Sequence, residues 1–148
     1  MPQRHDYWTH GVATILEFPN LAKVRAHTGM GTFVEQDAGT FGWFHIPIPT
    51  PSILDEGHTY FRYFCLVAKV NENATIDLLH LRRGADLVFS KTVAFTNTTV
   101  NQVFDNPDVS TAFGASSGAG MTLCVHVAFL DGMKRGRVEF YGAGAAFS

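Results

Sequence analysis

The sequence predicts an all-β protein, a two-sheet antiparallel β-sandwich that is jelly-roll-like and has eight or nine strands. Short segments of apolar residues in alternation recur along the chain, and turn residues separate them. No segment has the periodicity of an amphipathic helix. At 148 residues the chain has the size of one domain, so we expect a single β-sandwich domain over residues 1–148.

The stretch T-Y-F-R-Y-F-C-L-V-A-K-V at residues 59–70 predicts the central strand. It is rich in aromatic and β-branched residues and contains neither Gly nor Pro, which favours a strand over a helix. Both of its faces are apolar, so we expect material packed on each side. The two faces are Phe61, Tyr63, Cys65 and Val67, and Phe64, Leu66, Ala68 and Val70.

Four strands are predicted before this stretch. Residues 1–11 form an irregular N-terminal segment, and residues 12–18 a first strand. Weak alternation predicts a half-exposed strand at residues 21–27, and a short strand follows at residues 32–36. Aromatic residues at 41–48 predict a strand that ends in a run with Pro47, Pro49 and Pro51, because proline cannot pair within a central strand.

The middle of the chain predicts an antiparallel meander. Residues 71–74 are interpreted as a turn, residues 75–82 as a strand and residues 87–95 as the next strand, since short connections favour neighbouring strands. Residues 96–119 are rich in Asn, Ser, Thr and Gly and predict a long crossover loop. This loop interrupts a simple meander, so an up-and-down barrel is the second choice.

The last third of the chain predicts a hairpin. Residues 121–130 have the clearest alternation, with one face for the core. The Asp131-Gly132 pair is a strong hairpin signal, so residues 136–141 are expected to pair with that strand. The core face is Met121, Leu123, Val125, Val127 and Phe129.

Composition and charge limit the partners and the location. Charged residues are 16% of the chain, the net charge is -2, and no basic stripe is present, which argues against nucleic acid as a partner. No apolar segment is typical of a signal peptide or membrane span, so we expect a soluble, cytoplasmic protein without a membrane partner. Cys65 and Cys124 lie in apolar strands, which favours reduced, buried thiols; one disulfide in a secreted protein is the alternative.

Catalytic and metal motifs are not evident. The seven histidines include no pair at ligand spacing, so we expect no metal and no cofactor; His45, His80 and His126 are the first candidates if a metal is present. His80 and His126 are interpreted as strand histidines bonded to a neighbouring backbone group or carboxylate. Cys124 and His126 lie two residues apart on one face of a strand and could contact each other, but a buried, inert Cys124 thiol is the preferred interpretation. The sequence has no G-x-S-x-G nucleophile elbow. No catalytic residue is predicted, and an enzyme of unknown reaction class is the third hypothesis.

Aromatic residues near the ends of predicted strands indicate a candidate ligand site. Such side chains stack on sugars or planar ligands and offer an apolar face with a polar edge. The alternative is that both tryptophans close the ends of the core, and this alternative is preferred. The candidate ligand-binding residues are Tyr7, Trp8, His10, Trp43, His45 and Tyr60.

Three groups of landmarks carry a resemblance to a known group of proteins. These are the Trp8-Thr-His10-Gly11 segment, the Trp43-Phe44-His45 segment with its following prolines, and the closing Val138-Glu139-Phe140 with Gly142-Ala-Gly144. The chain resembles an uncharacterised family of small bacterial β-sandwich proteins. The resemblance implies the fold and no activity.

The preferred functional hypothesis is a non-enzymatic assembly or recognition protein that acts as a homo-oligomer, a dimer or a trimer. Residues 59–70 are apolar on both faces, and Cys124, Ala128 and Leu130 make the outer face of residues 121–130 apolar as well, so a partner subunit is expected to cover them. The second hypothesis is a carbohydrate- or small-ligand-binding module, lectin-like, with an aromatic-lined groove.

Overall fold

The computed structural model describes residues 5–49, 61–105 and 120–147. Within them it has nine β-strands and two 3-10 helices, which confirms the predicted all-β class. The elements are β1 (His5–His10), a 3-10 helix (Gly11–Ala13), β2 (Ile15–Leu16), a 3-10 helix (Pro19–Leu21), β3 (Ala22–His27), β4 (Thr32–Gln36), β5 (Phe41–Ile48), β6 (Phe61–Arg83), β7 (Asp86–Asp105), β8 (Met121–Phe129) and β9 (Gly136–Phe147).

The strands form one antiparallel sheet that curls into the two layers of a sandwich. The order along it is β2-β5-β8-β6-β9-β4-β3, with β1 also paired to β9 and β7 also paired to β6. The first half of β6 pairs with β9 and its second half pairs with β8, so β6 belongs to both layers. We call the layer with β9 the first sheet and the layer with β8 the second sheet. The order does not follow the sequence, which excludes the up-and-down barrel.

The predicted turn at residues 71–74 is wrong, because β6 continues through it and bends there. Strand pairing between β6 and β7 shifts register between Val70 and Thr75, as is usual where a strand passes from one sheet to another. The Asn71 side chain holds this corner by accepting from the backbone N–H groups of Asn73 and Arg137 at 3.0 and 3.1 Å. Opposite the bend, Asn97 of β7 has a φ of 48°, a conformation that Asn tolerates.

The core lies between the two layers. On β6 the inward residues are the predicted alternating set of Phe64, Leu66, Ala68 and Val70, all essentially inaccessible to solvent. Contact between the layers is direct, since the rings of Phe44 on β5 and Phe140 on β9 are 5.1 Å apart. The predicted core face of β8 is also confirmed: Met121, Leu123, Val125, Val127 and Phe129 are all buried.

The N-terminal predictions need correction. Residues 5–10 are not irregular but form β1, whose backbone pairs with the last strand from His5↔Phe147 to His10↔Gly142. The strand predicted at residues 12–18 is reduced to the two residues of β2, because a 3-10 helix occupies Gly11–Ala13. The small residues of the C-terminal end permit β1 to approach closely, so residues 142–147 continue β9 as a central strand with partners on both sides.

Two predictions for the second half of the chain are also wrong. Residues 96–105 of the predicted crossover loop 96–119 belong to β7 and pair with β6, while residues 106–119 lie outside the described residues. The last two strands do not form a hairpin, because β8 pairs with β5 and β6 whereas β9 pairs with β1, β4 and β6. The Asp131-Gly132 segment therefore connects the two layers.

The two cysteines lie on different sheets. Cys65 is opposite Gly144 and Val103, and Cys124 is opposite His45 and His80. Both thiols are free and buried, as the preferred interpretation expected. Among the described residues, no helix has the length and apolar character needed to span a membrane.

Candidate functional site

The outer face of the second sheet carries a cluster of aromatic and imidazole rings. On β5 the residues alternate between buried Gly42 and Phe44 and outward Trp43 and His45. The register aligns Trp43 with His126 of β8, and His45 with Cys124 of β8. The neighbouring half of β6 aligns His80 with the same Cys124. Three adjacent strands thus bring these side chains to one face.

Trp43 is the centre of this cluster. Its ring centroid lies 4.9 Å from that of His126 at an interplanar angle of 64°, and 4.9 Å from that of His80 at 35°. Because His80 is on the strand beyond β8, the indole must extend across β8 to reach it. This position explains why Cys124 is only 4% exposed although its side chain points away from the core.

A β-bulge supplies the partner of His126. Pairing of β6 with β8 shifts between Ile76 and Leu78, so Asp77 is displaced from the ladder. Its carboxylate Oδ1 lies 2.6 Å from Nδ1 of His126 and accepts a hydrogen bond from the ring. This contact fixes the orientation of the imidazole, and it confirms the prediction that His126 is bonded to a neighbouring carboxylate. It does not involve Cys124.

The cluster borders a shallow depression of about 200 Å³. Its polar rim includes Glu17, whose backbone N–H donates to the Trp43 carbonyl and whose carboxylate lies 3.6 Å from Nε2 of His45. On the opposite rim Arg82 donates from Nη1 to the Ala85 carbonyl at 2.9 Å, which holds its guanidinium at the edge. The lining residues are Glu17, Trp43, His45, His80, Arg82 and Cys124.

The local environment sets the protonation of two groups in the depression. Burial, then the charges of Arg82 and His126, lower the pKa of His80 below its usual value. The imidazole is therefore neutral near neutral pH and offers both a donor and an acceptor nitrogen. Burial raises the pKa of the Cys124 thiol, so it remains protonated and unreactive. Within the described part of the chain, no three His, Cys, Asp or Glu side chains converge as metal ligands.

The predicted ligand-site residues that the structure describes do not form one site. Trp43 and His45 are in the cluster, but Trp8 is on the outer face of the first sheet, where its indole lies against Gly144. Tyr7 points to the core and contacts Phe147, with ring centroids 5.9 Å apart. His10 caps the first 3-10 helix by accepting from the Val12 N–H. Tyr60 lies outside the described residues.

The expectation that both tryptophans close the core is wrong, since Trp8 is 58% exposed and Trp43 is on an outer face. Sequence reasoning grouped His80 and His126 only as possible metal ligands and did not place them in the ligand site, and it missed Glu17, Asp77 and Arg82 as site residues. The sequence signal that could have found this cluster was the alternation of polar and aromatic side chains on the outward positions of β5 and β8. The pairing of these two strands, which lie about 75 residues apart in sequence, was the missing information.

Comparison with known proteins shows the family and the fold. A family model described as "Family of unknown function (DUF6623)" matches residues 1–148, so the chain belongs to this family, in agreement with the expected uncharacterised family. No curated protein matches the sequence.

The fold is shared with a solved structure of a carbohydrate-binding module. One, named "Carbohydrate binding module family29", superposes with a TM-score of 0.50 at 12% identity, covering 96% of this chain and 89% of that chain. A module of the same kind from Piromyces equi has a TM-score of 0.45 at 11% identity, with 95% and 90% covered. A Stig cyclase from Fischerella sp. TAU has a TM-score of 0.48 at 9% identity, with 95% and 88% covered.

Proposed function

We propose that this member of a family of unknown function is a recognition protein that binds a ring-shaped, hydroxylated ligand of the carbohydrate class on the outer face of its second sheet. The observation that carries the proposal is the outward indole of Trp43, held between the imidazoles of His80 and His126. An indole supported in this way is a stacking platform for the apolar face of a sugar ring.

The rim of the depression provides the polar half of such recognition. A sugar that stacks on Trp43 directs its hydroxyl groups outward, where they need donors and acceptors. The Glu17 carboxylate accepts, the Arg82 guanidinium donates, and the neutral imidazole of His80 does both. A few polar groups around one aromatic plane are typical of small-ligand sites in proteins.

Preorganisation supports the same proposal. Trp43 is wedged between two rings, and Asp77 fixes one of them through a 2.6 Å hydrogen bond. Fewer side chains then need to be ordered when a ligand arrives, so less of the interaction free energy is lost to conformational entropy. The fold shared with a carbohydrate-binding module is consistent with this role, but the proposal depends on the geometry around Trp43.

The experiment is isothermal titration calorimetry with a panel of soluble mono- and oligosaccharides. We expect at least one saccharide to bind, and we expect Trp43→Ala to weaken its affinity by about tenfold or more, the loss typical of a stacked aromatic contact. Trp8→Ala is the matched control and leaves the affinity unchanged, because Trp8 is on the other sheet. Binding that both variants weaken equally, or no binding across the panel, contradicts the proposal.

Self-association is a second candidate function, supported by a row of residues on the outer face of the first sheet. The row runs across four strands through Trp8, Gly144, Cys65 and Val103. It has no charged side chain, and its two ends are 58% and 54% exposed. A second copy of the chain that covers this row removes apolar surface from water. The expected assembly is a dimer or a trimer.

Light scattering coupled to size exclusion tests this candidate. We expect the wild type to elute as a dimer or trimer at micromolar concentration, and we expect Val103→Glu to dissociate it, because a buried unpaired carboxylate opposes the contact. Lys91→Glu, an exposed change on the same strand, is the control. A wild-type monomer removes this candidate and does not affect the first.

A further inference from the structure

The rings around Trp43 continue into a longer row. The Phe41 ring stacks on His126 at 5.6 Å and 28°, and Phe18 contacts Phe41 edge-on at 5.9 Å. Successive ring contacts therefore join Phe18, Phe41, His126, Trp43 and His80, which we call the aromatic strip. The strip passes diagonally from the segment after β2 across β5 and β8 to β6.

We propose that the aromatic strip binds a neutral, linear oligosaccharide along its length and that Phe41 and Phe18 form further subsites beside Trp43. This inference rests on the proposed function of Trp43 and deepens it by naming the ligand class. From Phe41 to His80 the strip extends over two strand spacings and, from the level of Ala128 to that of Cys124 on β8, a four-residue step along a strand. This is a distance on the order of 15–20 Å. It is thus several times longer than one sugar ring.

Exposure along the strip supports contact with a ligand beyond the depression. Phe41 is 51% exposed and Phe18 is 39% exposed, although both lie outside the depression. Their edge-on contact holds both rings in place and leaves apolar surface open to water. Exposed rings in a line, each in contact with the next, match a ligand built from repeated rings.

Width and charge distinguish this ligand from other extended ligands. The strip is about one ring wide, and polar or charged groups border it, among them Glu17, Asp77 and Arg82. A lipid or a protein hot spot needs a broader apolar area. Two carboxylates beside a single guanidinium oppose a polyanionic chain by like-charge repulsion. A neutral oligosaccharide can stack its apolar ring faces on the aromatic strip and form hydrogen bonds from its hydroxyl groups to the polar groups of the rim.

The experiment measures affinity against chain length by calorimetry. The probes are cello-, xylo- and manno-oligosaccharides from one to six units, each titrated into the full chain. We expect the dissociation constant of a bound series to fall by about tenfold or more from the disaccharide to the tetrasaccharide and then to level off. Phe41→Ala removes most of this gain and weakens binding of the tetrasaccharide more than binding of the disaccharide, whereas Trp43→Ala weakens both alike.

Controls separate the outcomes. Phe33→Ala truncates a ring on the outer face of the other sheet, where it contacts Tyr141, and leaves every affinity unchanged. Phe18→Ala repeats the test of the strip if Phe41→Ala does not fold. Equal affinity for all chain lengths, or a gain in affinity with length that neither Phe variant reduces, contradicts the proposal that the aromatic strip binds an oligosaccharide. Binding that still depends on Trp43 then leaves the proposed function intact. A panel without any binding overturns both.

Discussion

Asp77 links backbone geometry to the chemistry of the candidate site. Strict alternation along residues 75–82 would put Asp77, Leu79 and Leu81 on one face of the strand, but the bulge after Ile76 changes the phase. Leu79 and Leu81 are buried, while Asp77 reaches His126 on the outer face. A donor at Nδ1 leaves Nε2 as the acceptor nitrogen of the neutral ring. One extra residue in the strand thus brings the Asp77 carboxylate to Nδ1 of His126.

His80 predicts a pH dependence of stability. Burial, Arg82 and His126 lower its pKa in the folded protein from the usual 6.5, so the unfolded chain binds a proton at higher pH than the folded chain does. Its contribution to stability is therefore complete above pH 6.5 and decreases as the pH falls below that value towards the folded pKa. Urea denaturation at a series of pH values from pH 8 to pH 5, spaced by about half a pH unit, measures the free energy of unfolding.

The variant His80→Gln supplies the comparison. It lacks the titrating group, so its free energy of unfolding declines less than that of the wild type over the same pH interval. His10→Gln is a control, because His10 is exposed and lies on the first sheet, whereas His80 lies on the second. Parallel declines in the wild type and His80→Gln contradict the assignment.

The thiols predict slow reaction with cysteine reagents. Burial raises the pKa of Cys65 to about 11 and also raises that of Cys124, so neither forms much thiolate at pH 8. A maleimide or disulfide reagent is expected to label the folded chain slowly and to label both thiols rapidly in denaturant. Mass spectrometry counts the labels on each chain. Rapid labelling of the folded chain would show that one of the two thiols is accessible.

At the scale of strands, the corner of β6 and β7 determines the architecture. Because both strands bend at the same point, one long hairpin contributes to both sheets. The corner also contacts the connection between β8 and β9, where the Leu130 N–H donates to the Asn73 carbonyl at 2.9 Å. The second half of β6 then lies beside β8, which places His80 and Asp77 next to the aromatic residues of β5.

The 3-10 helix after β1 predicts a strong glycine requirement. A Cβ atom on Gly11 would lie 1.8 Å from the Phe140 carbonyl oxygen of β9. Gly11→Ala therefore forces the helix away from β9, and we expect it to lower the free energy of unfolding by about 1–3 kcal/mol or more. Chemical denaturation measures this change.

Gly29→Ala is the matched control for that substitution. No atom lies within 4 Å of a Cβ at Gly29, so its effect is expected within about 0.5 kcal/mol of zero. Equal stabilities of the two variants would show that the close approach of Gly11 to β9 is not present in solution.

Local pattern was sufficient to predict individual strands. The bounds of β4 and β5 agree with residues 32–36 and 41–48, and the buried face of β8 was identified in full. Pairing was not predictable, because Asp131-Gly132 has the composition of a tight hairpin turn although the strands around it belong to different sheets. Residues 71–74, which include two Asn residues, were interpreted as a turn, since nothing local distinguishes a turn from a strand that bends between sheets.

At the scale of the whole molecule, the curled sheet gives two outer faces of different character. The face of the second sheet combines Trp43 with histidines and a mixed-charge rim, whereas the face of the first sheet has the uncharged row from Trp8 to Val103. The sequence predicted the aromatic residue types at both places. It did not predict that the two tryptophans lie on separate sheets, since this depends on long-range register.

The whole chain predicts a strand-dominated circular dichroism spectrum. The described residues contain only two three-residue 3-10 helices, so we expect less than about a tenth helix in the far ultraviolet. A helix content near a third would contradict the sandwich. The same spectrum verifies that each variant above is folded before its binding is measured.

The central claim is that Trp43 contacts the ligand, and fluorescence of the Trp8→Phe variant tests it most directly. The chain has two tryptophans, so this variant leaves Trp43 as the only indole. Titration with the saccharide that binds most tightly is predicted to change the emission of Trp43 saturably, with the same dissociation constant that calorimetry gives. Calorimetric binding without any change in emission would place the ligand elsewhere and contradict the account.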